Sequence, residues 1–335
     1  MQSPQPLVDS FGRIVKDLRI SITDRCNFRC RYCMPEEGMQ WLGRSELLDF
    51  EEIERIARVF VEKFGINSIR ITGGEPSVRA HLPKLVAKLA AISSSDGSRV
   101  DLAMTTNGAT LSLLAKDLYD AGLNRLNISC DSLNPRRFYD ITHRDRLDKV
   151  LEGIDSALEV GFDSIKLNVV LMRGINEDEI IDFVDFGRQK GIQVRFIEFM
   201  PLDGSNQWTN ETVVPADEII SIINSVYPLE TLPHGSEPAQ KFSYLDGKGE
   251  VGVIASVTKP FCGTCDRVRM TAEGKMRTCL FSIDEFDLRE IVRKGGTDLD
   301  IAKEITRAVG SKWAGHSIGK VNFIKPKRNM SQIGG

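Results

Sequence analysis

Six short runs of β-branched and apolar residues recur along the chain: LRISIT at 18–23, SIRIT at 68–72, VDLAMTT at 100–106, RLNISC at 125–130, SIKLNVVLM at 164–172 and VRFIEFM at 194–200. Amphipathic patterns lie between them, among them FEEIERIARVFVEKFG, LSLLAKDLYDAG and LDKVLEGIDSALEVG, several stopped by glycine. A strand that regularly alternates with a helix demands a parallel sheet with crossover helices, either doubly wound or rolled into an incomplete (β/α)6 TIM-type barrel. In either architecture, function is expected at the carboxyl ends of the strands.

The rhythm breaks after Met200. Residues 201–214 read as loop, 215–227 as helix, 241–279 as short strands and hairpins, and 284–294 and 298–313 as helices. The final VNFIKPKRNMSQIGG has no periodicity and reads by composition as a flexible tail. Two domains are therefore expected, a barrel over 1–230 and a C-terminal extension over 231–335. With 41% hydrophobic side chains, the chain can bury a real core, which excludes a disordered or fibrous protein. The balance of 44 Lys+Arg against 47 Asp+Glu leaves a net charge of −3 and argues against a nucleic-acid partner. No run of apolar residues is long enough to cross a bilayer and the start MQSPQPLVDSFGR lacks a signal pattern, so no membrane partner and a cytoplasmic address are expected.

Seven cysteines, an odd total in a chain of 335 residues, do not look like a disulfide framework, which is typically a feature of small secreted domains. Six form two triads, Cys26-x3-Cys30-x2-Cys33 directly after the first strand and Cys262-x2-Cys265-x13-Cys279 near the back. Structural zinc usually takes four ligands. Three thiolates suit an iron–sulfur cluster that keeps one iron open. For the back triad a zinc knuckle stays possible on chemistry alone, although His234 and His316 show no pattern that ties them to it. Cys130 stands apart and reads as a strand residue.

The CNFRCRYC loop resembles the signature of the radical S-adenosylmethionine (SAM) superfamily, and Ile71-Thr72-Gly73-Gly74-Glu75-Pro76 resembles its glycine-rich SAM turn. The resemblance implies a [4Fe–4S] cluster on Cys26, Cys30 and Cys33, with SAM cleaved to a 5′-deoxyadenosyl radical. By the same likeness Tyr32, Gly74, Ser129 and Met200 contact SAM.

The back triad, the Arg267-x-Arg269 that follows its second cysteine and the terminal Gly334-Gly335 narrow the likeness. Together they resemble the MoaA family, the GTP 3′,8-cyclases of molybdenum cofactor biosynthesis, over nearly the whole chain. That resemblance implies a second [4Fe–4S] cluster on Cys262, Cys265 and Cys279 that binds the guanine of GTP. It implies triphosphate contacts at Arg19, Arg70, Lys166, Arg267 and Arg269, with Thr105 as a further GTP contact. Arg267, Arg269, Arg195 and a Gly334-Gly335 tail threaded into the site are expected to serve catalysis. Cations placed in apolar strands need a buried counter-charge, and a triphosphate supplies one with the bidentate acceptors arginine prefers. No Walker-type loop is present, so a conventional GTPase is disfavoured.

The implied reaction removes the ribose 3′ hydrogen of GTP and joins C3′ to C8, giving (8S)-3′,8-cyclo-7,8-dihydroguanosine 5′-triphosphate. The implied partners are an electron donor such as flavodoxin or ferredoxin, cyclic pyranopterin monophosphate synthase as the next enzyme, and a second copy in a homodimer. Ser77-Val78 and Cys130 depart from residues common in relatives, but neither position is a ligand. Two other readings are a radical SAM enzyme with an auxiliary cluster acting on a peptide, and a zinc-stabilised nucleotide-binding protein.

Overall fold

The computed structural model describes residues 4–34, 39–94, 97–202, 208–318 and 323–334. The six predicted strands are β1 (Asp17–Ser21), β2 (Ser68–Thr72), β3 (Asp101–Thr106), β4 (Arg125–Ser129), β5 (Ser164–Leu171) and β6 (Gln193–Glu198). They pair in chain order and all run parallel.

Six further strands follow: β7 (Leu229–Thr231), β8 (Gln240–Tyr244), β9 (Glu250–Ile254), β10 (Arg267–Met270), β11 (Lys275–Arg277) and β12 (Phe286–Asp287). They extend both edges of the same sheet. β10 lies parallel to β1 on one side and β9 parallel to β6 on the other, and the two outer edges do not meet. The result is the expected α/β architecture, an incomplete (β/α)6 TIM-type barrel.

Local chemistry explains the elements. The helix Phe50–Phe64 opens on a capping box of Asp49 and Glu52 and buries Ile53, Ile56, Ala57 and Phe60 on one face. On β5, Ile165, Leu167, Val169 and Leu171 enter the apolar core, and the alternate positions Lys166, Asn168 and Val170 face the other way. The helix Pro135–Thr142 has no counterpart in the sequence reading. Its signal was the Asn134-Pro135 pair, in which Asn134 accepts from the amides of Arg136 and Arg137 and proline occupies the first turn.

The tail departs from expectation. Met330–Ile333 forms a helical turn, and Ile333 is fully buried with Leu202, Phe281 and Ile318. Burial of one isoleucine contributes about 1.5–3 kcal/mol, which offsets the ordering of only one or two residues. Ion pairs of Arg328 with Glu273 and Glu285, both at 2.5 Å, add the rest of the anchorage.

Candidate active site

The first cysteine triad sits on the loop that leaves β1. This loop is braced by the glycine turn after β2: the Gly74 amide donates to Thr23 O at 2.7 Å and the Glu75 amide to Arg25 O at 2.8 Å. A Cβ at Gly74 would lie 2.4 Å from Arg25 O and 2.5 Å from Asp24 O. Glycine is therefore required first for the approach of two backbone segments, before any ligand is considered. Glu75 then accepts from Thr106 Oγ1 at 2.7 Å and the Asn107 amide at 2.6 Å, tying the end of β3 to the same turn.

Both triads open on one cavity of about 310 Å³ at the carboxyl ends of the strands. That volume lies within the usual range of ligand pockets, roughly 300–1,000 Å³. Its lining brings together all six triad cysteines with Tyr32, Gly74, Ser129 and Met200, and with Arg19, Arg70, Thr105, Arg195, Arg267 and Arg269. Met200 lies two residues beyond the end of β6 rather than on it. Lys166 does not line this cavity. It borders a second one formed by β5, β6 and the β8–β9 hairpin, where burial and the charge of Arg195 push its ammonium down to about 8. Gly334 is buried beside the cavity, and its carbonyl accepts from Arg269 Nη1. Gly335 lies outside the described residues. Cys130 is buried in the core, with its thiol toward Ser132 O.

None of the seven cysteines is paired in a disulfide. Burial pushes Cys26 up to about 11 and Cys33 up to about 12, and Cys30 shifts the same way, each triad member adding its charge to a neighbour. Cys265 behaves differently: burial raises it, but Arg267 and Lys312 outweigh burial and bring it down to about 7. Among the described residues, no three His, Cys, Asp or Glu side chains converge closely enough to hold a single metal ion.

The arginines form a cationic floor. Arg269, Arg19 and Arg70 stand side by side in register on β10, β1 and β2. Asp17, one step below, reaches Arg70 at 3.8 Å and Arg19 at 4.0 Å. Burial, then repulsion by Arg269 and Arg70, moves Arg19 well below its usual value. The Nε atoms of Arg19, Arg70 and Arg267 are buried without a hydrogen-bond partner. Arg195 is better served, pairing with Glu237 at 3.0 Å and donating to Gln193 at 2.8 Å. An excess of buried, unsatisfied cations calls for a multiply charged anion in this cavity.

Sequence reasoning missed Asn127, Asn168 and Asp131, all of which line the cavity. Asn168 was detectable, because it shares the inward face of β5 with Lys166. Asp131 accepts from Tyr32 Oη at 2.6 Å and from the Val170 amide at 2.8 Å, and burial raises its carboxyl to about 6.

Residues 20–187 match the radical SAM superfamily and residues 192–318 match Molybdenum Cofactor Synthesis C. The GTP 3′,8-cyclase of Rhodopirellula baltica is 47% identical over 341 residues, covering 100% of this chain and 94% of the relative. That of Acidothermus cellulolyticus is 48% identical over 320 residues, covering 93% and 87%. Among solved structures, anSMEcpe with bound AdoMet superposes with a TM-score of 0.60 at 15% identity, over 87% of this chain and 77% of that one. Streptococcus suis SuiB bound to S-adenosylmethionine gives 0.56 at 14% identity, over 83% of this chain and 64% of that one. The chain spans less than two thirds of SuiB, and what these two structures share with it is the fold. With both family models matched and near-full-length relatives at this identity, the chain belongs to the GTP 3′,8-cyclase family of radical SAM enzymes.

Proposed function

We infer that the protein converts GTP to (8S)-3′,8-cyclo-7,8-dihydroguanosine 5′-triphosphate, the first step of molybdopterin formation. The observation that carries this reading is one cavity on which both cysteine triads and five arginines open, Arg195 and Arg269 buried and Arg19, Arg70 and Arg267 half-buried. Cys26, Cys30 and Cys33 would hold one [4Fe–4S] cluster, and Cys262, Cys265 and Cys279 a second. Held there with SAM, and given one electron by an external donor, that first cluster would supply the chemistry that splits SAM into methionine and a 5′-deoxyadenosyl radical able to take the 3′ hydrogen of GTP.

The remaining work falls to this chain's own residues. Tyr32, Gly74, Ser129 and Met200 orient SAM. Arg19, Arg70, Arg267 and Arg269 neutralise and fix the triphosphate, with Thr105 and Arg195 completing the GTP contacts and Lys166, outside the cavity lining, adding its charge from beside Arg195. Holding base and ribose in one pose makes ring closure faster than escape of a reactive carbon centre. The turn Met330–Ile333, with Met330 and Ser331 on the cavity wall and Ile333 buried behind them, helps keep water out of the cavity. We likewise take 1–230 as the barrel domain and 231–335 as the extension. In support, all six consecutive parallel strands and the first triad precede residue 230, and the second triad follows it.

An electron donor of the flavodoxin or ferredoxin kind and a cytoplasmic setting follow from this chemistry, as does hand-over of product to cyclic pyranopterin monophosphate synthase. Homodimerisation is proposed by family likeness alone. Among the described residues no helix is long and apolar enough to cross a membrane. The test is anaerobic reconstitution with iron and sulfide, followed by GTP, SAM and a reductant. A product isomeric with GTP, formed by protein carrying about eight irons per chain, supports the reading. Colourless zinc protein without product overturns it.

A further inference from the structure

The second triad is wrapped on its outer side by residues 312–316, which the reading above does not use. Lys312 is 3% exposed. Its Nζ donates to Arg267 O at 2.6 Å and to Cys265 Sγ at 3.8 Å. The His316 amide donates to the Cys262 thiol. A Cβ at Gly315 would lie 2.9 Å from Cys262 Cβ and 3.2 Å from its Sγ, so this segment reaches the triad only as glycine.

Arg13 pins the segment in place. It sits on an N-terminal turn closed by a Val8–Ile14 bridge and is paired with Asp9 at 2.5 Å. Its Nη1 donates to Cys262 O at 2.7 Å and Ala314 O at 2.8 Å, and its Nη2 to Trp313 O at 2.5 Å. One guanidinium thus links the cysteine loop to the segment that carries Lys312. An ammonium on a flexible stem gains a fixed position only when its surroundings supply one, and here they do.

A cation beside a ligating sulfur, in a buried site of low dielectric, favours whichever cluster state carries more negative charge. Net charge and hydrogen bonds to the sulfurs are the protein's means of setting an iron–sulfur potential. We propose that Lys312 is a positioning residue of the second iron–sulfur site, its ammonium held between Arg267 O and Cys265 Sγ so as to raise the reduction potential of that cluster. The proposal rests on the reading of Cys262, Cys265 and Cys279 as cluster ligands. Arg13 acts through the backbone, whereas Lys312 shares the Cys265 sulfur with Arg267, whose Nη2 donates to it at 3.3 Å.

The test is an EPR-monitored redox titration of the full, anaerobically reconstituted chain. The signal that SAM does not alter is followed in wild type, Lys312→Met and Lys312→Arg. The expected result is a more negative midpoint for this signal in Lys312→Met, a midpoint near wild type in Lys312→Arg, and no change in the SAM-responsive signal. An unmoved midpoint in Lys312→Met overturns the proposal. If Lys312→Met fails to retain the second cluster, retention by Lys312→Arg supports a requirement for the cation. Loss in both variants overturns it by assigning Lys312 to packing alone. A wild-type chain that binds only one cluster's worth of iron refutes the ligand reading itself, a distinguishable outcome.

Discussion

The main-chain carbonyl of Gly334 accepts a hydrogen bond from Nη1 of Arg269, the buried arginine in register with Arg19. The end of the chain is thereby brought to the cationic floor of the cavity. Gly334 has φ +70, and a Cβ there would lie 2.4 Å from Thr72 Oγ1. Gly334→Ala therefore meets both backbone strain of about 1–2 kcal/mol and a clash. It is expected to lower product formation at least about tenfold, since 1.4 kcal/mol is a factor of ten, with iron content and SAM binding retained. Wild-type turnover in the variant would make the contact incidental.

Arg19 and Arg70 share the single carboxylate of Asp17 at 4.0 and 3.8 Å. Arg19→Gln should therefore have two opposite effects. The free protein should melt at a higher temperature, because a buried, repelled cation is gone. Affinity for GTP should fall about tenfold to a hundredfold, in line with about 1.5–3 kcal/mol for a hydrogen bond to a charged group. Thermal melts with and without GTP read both effects, and a variant destabilised in the free state with GTP affinity intact would contradict the assignment.

Cys262 and Cys265 belong to a different stretch of chain from Cys26, Cys30 and Cys33, and their replacement should leave the SAM site standing. Cys262→Ser is expected to bind about half the wild-type iron, to bind SAM as wild type does and to form no cyclised product. Product formation at the wild-type rate would remove the second triad from the reaction.

Lys166 yields a pH signature. Burial and Arg195 hold its ammonium at about 8 against an ordinary 10.5. A nearby triphosphate favours the charged form and restores the higher value. GTP binding should then take up a proton between about pH 8 and 10.5, and none well below pH 8. Calorimetry at pH 8.5 in buffers of different ionisation enthalpy measures the uptake, which Lys166→Met should abolish. Equal uptake in that variant would place Lys166 outside the GTP site.

Much of this site could be read from the chain because its chemistry is local. The cysteine spacings, Thr72-Gly73-Gly74-Glu75-Pro76 and Arg267-x-Arg269 each occupy a few consecutive positions. Period-two alternation likewise exposes β5. The pairings of β10 with β1 and of β9 with β6 were hidden, because no local pattern encodes which edge a distant strand will join. The tail was misread for a related reason. Lys325, Lys327 and Arg328 make it look solvated, whereas its order comes from Ile333 meeting Leu202 and Phe281, and from Arg328 meeting Glu273. Lys312 and Arg13 carry no motif, and only the folded chain brings them to the second triad.

The most direct measurement of the central claim uses GTP carrying deuterium at C3′, incubated anaerobically with SAM, reductant and the reconstituted protein. The account predicts deuterium in 5′-deoxyadenosine, recovered in step with a cyclised product that has lost that label. Formation of 5′-deoxyadenosine without deuterium, while the cyclised product still accumulates, would contradict it.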